Sequence, residues 1–123
     1  MVENELVNAL QVELVQAENV LDTQFSFELA EPHYRECLSI IEQAPEYQSE
    51  FEALLLKMYF KRMISDEPLA YLMHILGWKN IKRTLEFELF NDPAAIATGR
   101  GHEKVLAAYD DKWLNKDFYK FSD

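Results

Sequence analysis

Apolar residues recur at helical spacing along most of the chain. The clearest stripe lies near the N-terminus, where apolar side chains are separated by four, four, three and four positions. Its members are Leu6, Leu10, Leu14, Ala17 and Leu21. These steps bring the side chains to one face of a helix and leave polar residues on the remaining surface. The pattern predicts an amphipathic first helix whose apolar face packs in the core.

Proline residues indicate where the next helices begin and end. Residues 23–31 are ambiguous, because their apolar side chains alternate as in a strand but also fit an extension of the first helix. Pro32 is predicted to lie in the first turn of the second helix, where a missing N–H is tolerated. Pro45 is predicted to end that helix and to open the third, since the residue before a proline disfavours the helical conformation.

Capping residues and a glycine divide the middle of the chain. Ser65 or Asp66 is predicted to cap a fourth helix, because their side-chain oxygens can accept from free N–H groups of the first turn. Gly77 is predicted to end that helix. A fifth helix follows from Trp78, with apolar residues again at helical spacing.

The last third of the chain combines poor helix formers with aromatic residues. Asn91 or Asp92 is predicted to cap a segment with Pro93 near its start. Gly99 and Gly101 are predicted to interrupt that segment, because glycine is unfavourable inside a helix. The tail from residue 110 to 123 contains Trp113, Phe118, Tyr119 and Phe121. So many aromatic side chains predict that the tail docks on the body of the protein.

Composition supports a helical fold. The chain has 123 residues, of which 49% are hydrophobic, and only three glycines and four prolines. This length fits one domain, and the shortage of turn residues argues against a many-stranded β fold. We therefore expect a single all-α domain over residues 1–123, a bundle of about five to seven helices with a docked aromatic C-terminal segment.

Acidic residues dominate the first half of the sequence. The formal net charge is −10, and residues 1–56 carry one arginine and twelve acidic residues, a net charge of −11. Such a chain lacks the basic patch that binds nucleic acid or an anionic membrane. The same charge can steer a basic protein partner into contact, although acidic residues also serve simply to solvate helix exteriors. We expect a protein partner and neither nucleic acid nor membrane.

The sequence also bears on localisation. A lone cysteine, Cys37, cannot form an internal disulfide and favours a reducing compartment. The first residues lack the basic and apolar regions of a signal peptide, and no apolar run has the length of a membrane span. Both observations favour a cytoplasmic protein.

Candidate catalytic and metal-binding groups are few and scattered. His33, His74 and His102 fit neither the H-E-x-x-H zinc motif nor the Glu-x-x-His motif of di-iron bundles. Cys37 lies on an apolar stripe and is predicted to be a buried, unreactive core residue, and His74 to be partly buried. We therefore expect no metal, no cofactor and no enzymatic activity.

Two stretches of the second half together resemble a known family. One runs from Ile64 through the Ser65-Asp66-Glu67-Pro68 sequence to Trp78. The other runs from Val105 to Trp113 and is followed by Asp117-Phe118-Tyr119. They are similar to a family of small all-α bacterial proteins, some of which serve as immunity proteins in contact-dependent growth inhibition. The matching residues are structural in character, and the resemblance implies that Trp78 and Trp113 fill the core.

The resemblance implies an immunity protein that holds a cognate toxin domain in an inactive complex. Such toxins are often nucleases with a basic active site, which an acidic surface could cover and so exclude the substrate. The candidate toxin-binding residues are acidic and lie near helix ends or connections: Glu18, Asp22, Glu28, Glu31 and Glu46. An aromatic anchor is also expected, with Phe25, Phe27 and Tyr47 as candidates.

Two other functions stay open on the sequence. The first is an acidic interaction or regulatory domain that binds another cytoplasmic protein. The second is an uncharacterised enzyme, for which a pocket around His74, Cys37 or His102 would be the indication.

Overall fold

The computed structural model of the chain describes residues 2–91 and 95–119, with side chains described for residues 5–91 and 101–119. Six α-helices and two short 3₁₀ helices make up most of these residues, and none of them forms a strand. The α-helices are α1 (Val2–Gln24), α2 (Phe27–Glu42), α3 (Gln48–Phe60), α4 (Asp66–Leu76), α5 (Lys79–Asn91) and α6 (Ala95–Ala107). The 3₁₀ helices are Pro45–Tyr47 and Leu114–Phe118. The all-α prediction is confirmed, and the helix count lies within the predicted range.

Helices α1 and α2 form a long helical hairpin. The predicted stripe of α1 faces inward, with Leu10, Leu14 and Ala17 fully buried. The connection is two residues long, and Ser26 caps α2 by accepting a hydrogen bond from the N–H of Leu29 at 3.2 Å. Residues 23–31 are therefore helical on both sides of a tight turn.

The prediction for Pro32 is wrong. Helix α2 begins at Phe27, so Pro32 lies inside the helix and not in its first turn. The earlier start is favoured by the Ser26 cap and by the ring of Phe27, whose centroid lies 5.3 Å from that of Phe118. These contacts outweigh the hydrogen bond that an internal proline removes.

The remaining predicted boundaries of the first four helices are confirmed. Pro45 follows the end of α2 and begins the 3₁₀ helix that leads into α3. Ser65 occupies the cap position of α4, although its side chain caps no N–H of that helix. Gly77 ends α4 with a φ of 61°, in the left-handed region where glycine has no steric penalty.

The predicted interruption at Gly99 and Gly101 is wrong, because α6 runs through both residues. At Gly101 the side chain of Tyr59, which extends from α3, comes so close that an added Cβ would lie 2.8 Å from its Oη. Glycine therefore leaves room for the tyrosine hydroxyl here, which outweighs its low helix propensity. The predicted capping of this segment falls on Asp92 and Pro93, which lie outside the described residues.

The C-terminal segment docks on the helices, as predicted, through residue 119. Trp113 and Tyr119 are buried, and the ring of Tyr119 lies 4.7 Å from that of Tyr71 and 5.9 Å from that of Trp113. Phe118 is more than half exposed, and Trp78 is half-buried and not in the core. Phe121 lies outside the described residues.

We predict that Gly101→Ala destabilises the protein by about 1–3 kcal/mol, because the added methyl group collides with the hydroxyl of Tyr59. In a Tyr59→Phe background the hydroxyl is absent, and the nearest atom to the added Cβ would be Cζ of the ring, at an ordinary contact distance of 3.8 Å. There the same substitution should be neutral or stabilising by up to about 1 kcal/mol, from helix propensity. Chemical denaturation of the four proteins measures both differences. Equal effects in the two backgrounds would contradict the close-packing explanation.

Candidate protein-binding surface

The five predicted acidic residues divide into two groups. Asp22, Glu28 and Glu46 are exposed and near helix ends, as the sequence predicted. None of the three forms a salt bridge with a described residue. Their charges are therefore available to a partner, and their role in binding stays a prediction.

Glu31 is not accessible, and its assignment to the surface is wrong. Only 2% of the residue is exposed, and its carboxylate accepts a 2.8 Å hydrogen bond from the hydroxyl of Tyr71. The guanidinium of Arg35, one helical turn further, lies 3.7 Å away. The early start of α2 places Glu31 in the second turn of the helix and on its buried face. Glu31 therefore joins α2 to α4 from the inside.

Glu18 is half-buried and fastens α1 to the start of α4. Its Oε1 accepts hydrogen bonds from the backbone N–H of Ser65 at 3.1 Å and from the hydroxyl of Ser65 at 3.0 Å. A carboxylate is favourable at a helix N-terminus, where free N–H groups carry partial positive charge. Glu18 thus has a structural role, with part of its surface still facing outward.

A cleft of about 400 Å³ opens beside the connection between α1 and α2. Four acidic residues and one base line it together with Asn115: Glu18, Asp22, Asp66, Glu67 and Lys104. The sequence predicts Asp66 only as a possible cap of the fourth helix, with Glu67 in the first turn after it. Their place in the cleft depends on how that helix end packs against α1, which periodicity does not indicate.

Glu67 forms the floor of this cleft. It is 6% exposed, and its carboxylate accepts hydrogen bonds from the hydroxyl of Tyr119 and from the side-chain amide of Asn115. Burial raises the pKa of Glu67, and the two hydrogen bonds oppose that rise only in part. The nearby carboxylate of Asp66 raises the pKa further. The floor of the cleft therefore resists carrying a negative charge.

Phe25 projects from the rim of the cleft. Its side chain is 87% exposed, while Phe27 packs against the C-terminal segment and Tyr47 is half-buried. A second depression, of about 480 Å³, lies on the other side of the connection and is lined by three phenylalanines, Phe25, Phe27 and Phe118, together with Glu28 and Asp117. Of the three aromatic candidates from the sequence, Phe25 alone is both large and freely exposed.

Cys37, His74 and His102, around which a pocket would have indicated an enzyme, are buried or hydrogen-bonded within the fold. Cys37 is fully buried, and burial raises the pKa of its thiol far above the usual value. His74 Nδ1 lies 2.7 Å from the carbonyl oxygen of Ala108, and His102 shares a 2.8 Å hydrogen bond with Tyr59. The described side chains contain no cluster of three groups able to hold a metal ion. No helix in the described part of the chain is long and apolar enough to cross a membrane.

Comparison with protein-family models, with curated proteins and with solved structures finds no match to this chain.

We predict that Glu67→Gln raises the melting temperature near neutral pH and has a smaller effect in acid. Because the pKa of Glu67 is higher in the folded protein than in the unfolded chain, its protonation stabilises the fold. This stabilisation is fully present below the pKa of the unfolded chain, about 4.3, and is lost as the pH rises through the pKa of the folded protein. Glutamine does not titrate and keeps an oxygen for the Tyr119 hydroxyl. Thermal melts between acid and neutral pH test this.

Glu46→Gln is the matched control, because it removes the same charge from an exposed position. A melting-temperature difference between Glu67→Gln and the unmodified protein that does not change with pH would contradict the assignment.

Proposed function

We propose that this protein is an immunity protein that binds a basic toxin domain through the acidic surface around the α1–α2 connection. The observation that carries the proposal is the exposed pair Asp22 and Glu28 beside an acidic cleft, neither of them in a salt bridge with a described residue. Glu46, the third exposed candidate, lies beyond the far end of α2 and away from this cleft. The excess of acidic residues in the first half of the chain extends the same field.

The inhibition that we propose is electrostatic exclusion. A nuclease active site attracts phosphate with lysine and arginine, so carboxylates placed over it compete for the same groups. Complementary charge also raises the association rate, which favours capture of the toxin before it reaches its substrate. The protein needs no catalytic residue for this role.

The first test uses the C-terminal domain of the protein encoded immediately upstream. We predict that this domain kills bacteria when expressed alone, that co-expression of the present protein restores survival, and that the two copurify. The complex should weaken as salt is raised, because screening reduces the attraction between exposed charges. Colony counts and binding measurements across a salt series provide the readouts.

The possible results separate the function from its mechanism. Rescue with a salt-insensitive complex would retain the immunity function and remove the acidic surface as its basis. An upstream domain that is harmless, or that kills regardless, would overturn the immunity proposal. An acidic regulatory domain for another cytoplasmic protein would then be the next hypothesis.

The second test is charge reversal on the exposed acidic residues. We predict that Asp22→Lys combined with Glu28→Lys slows association with the toxin domain at least about 10-fold, since both residues face solvent near the proposed contact. The melting temperature should change little, because neither side chain forms a salt bridge with a described residue. The unfavourable lysine in the first turn of α2 is offset by a favourable lysine in the last turn of α1. Stopped-flow association and thermal melting provide the two measurements.

Glu42→Lys with Asp111→Lys is the matched control. These exposed residues undergo the same change of charge, and Glu42 lies at the opposite end of α2 from Glu28, about 20 Å along the helix. Equal slowing by the two pairs would mean that only net charge matters, and would contradict a localised acidic interface.

A further inference from the structure

We infer that Phe25 is the anchor of the partner interface and that it enters an apolar pocket whose rim carries lysine or arginine. This inference rests on the proposed immunity function and adds the residue and the pocket chemistry that would determine specificity. The acidic residues supply attraction in that function, and Phe25 supplies the buried centre of the contact.

The backbone at Phe25 shows that the residue is held in an unfavourable conformation. Its φ is 52°, and its N–H donates to the carbonyl oxygen of Leu21 at 3.0 Å, which closes the last turn of α1. This left-handed position at the end of a helix is where glycine is usual, because a Cβ is strained there. A phenylalanine at this position opposes stability.

The side chain of Phe25 buries little apolar surface in the folded protein. Its 87% exposure leaves a large apolar surface in water, whereas Phe27, two residues on, packs against Phe118 and Tyr119. Backbone strain together with an exposed aromatic ring is unfavourable in the free protein on both counts. Burial in a partner would remove the second cost, and aromatic residues dominate the binding energy at the centres of protein interfaces.

The surroundings of Phe25 define the pocket that would receive it. The ring stands between two open depressions, of about 400 and 480 Å³, so a partner can close around it from both sides. Asp22 and Glu28 are exposed within three residues on either side, and Asp117 lines the second depression. An apolar pocket with a basic rim matches this arrangement, because its charges would pair with these carboxylates as the ring is buried.

The test measures stability and affinity on the same variants. We predict that Phe25→Gly raises the melting temperature by about 2–5 °C, because glycine relieves the left-handed strain. The same variant should bind the toxin domain encoded upstream roughly 30-fold more weakly, because the ring is lost. Phe25→Ala keeps the strain and loses the ring, so it should lose the affinity without gaining the stability.

Phe90→Ala is the matched control, since Phe90 is also 87% exposed but lies in the ordinary helical backbone of α5. It should leave the affinity unchanged, which would show that removal of an exposed ring is not sufficient to weaken binding.

Each result bears on a different claim. Unchanged affinity in both Phe25 variants, with the unmodified protein still bound and protective, would overturn the anchor and leave the immunity function in place. A lower melting temperature in Phe25→Gly would show that the ring supports the fold, and would also overturn the anchor. Absence of binding by the unmodified protein would overturn the immunity function, and the anchor with it.

Discussion

The hydrogen bond from Tyr119 to the buried carboxylate of Glu67 holds the C-terminal segment on the helical body of the protein. It fixes the C-terminal segment against the start of α4, and the rings of Trp113 and Tyr71 then pack around Tyr119. The same carboxylate is the floor of the acidic cleft. Because burial already makes a charge on Glu67 unfavourable, the tyrosine hydroxyl and the amide of Asn115 are needed to satisfy its oxygens. The core and the proposed binding surface therefore share one polar contact.

Acidic residues in the first half of the chain consequently have two distinct roles. Glu18 and Glu31 connect helices from partly or fully buried positions, where each accepts hydrogen bonds from a neighbouring element. Asp22 and Glu28 face water beside the α1–α2 connection. A negative residue in this sequence is thus no guide to the surface by itself. The field that a partner would feel comes from the exposed subset of the carboxylates, of which Asp22 and Glu28 lie where the helical hairpin turns.

Sequence periodicity predicted the helices well, because their buried faces repeat at helical spacing and need only local information. The failures at Pro32 and Gly101 share a cause: in each, a tertiary contact outweighs an intrinsic preference of the residue. Phe27 packs against the distant Phe118, and Gly101 lies against Tyr59 of α3. The site was predicted in part for the same reason. Exposed acids near helix ends were identifiable, but Asp66 and Glu67 join them only through the packing of α4 against α1.

Phe25 is not the residue that would make the connection between α1 and α2 most stable in the free protein. Glycine there would satisfy the left-handed end of α1, and a polar residue would avoid exposing an aromatic surface to water. Such local conflicts between sequence and fold concentrate at functional positions, where strain is retained for the sake of a contact made elsewhere. Two described non-glycine residues have a positive φ, Phe25 and Arg62, and of these Phe25 lies beside two depressions and two exposed carboxylates. The location and the strained backbone of Phe25 together therefore favour partner binding as the reason why a phenylalanine occupies this position.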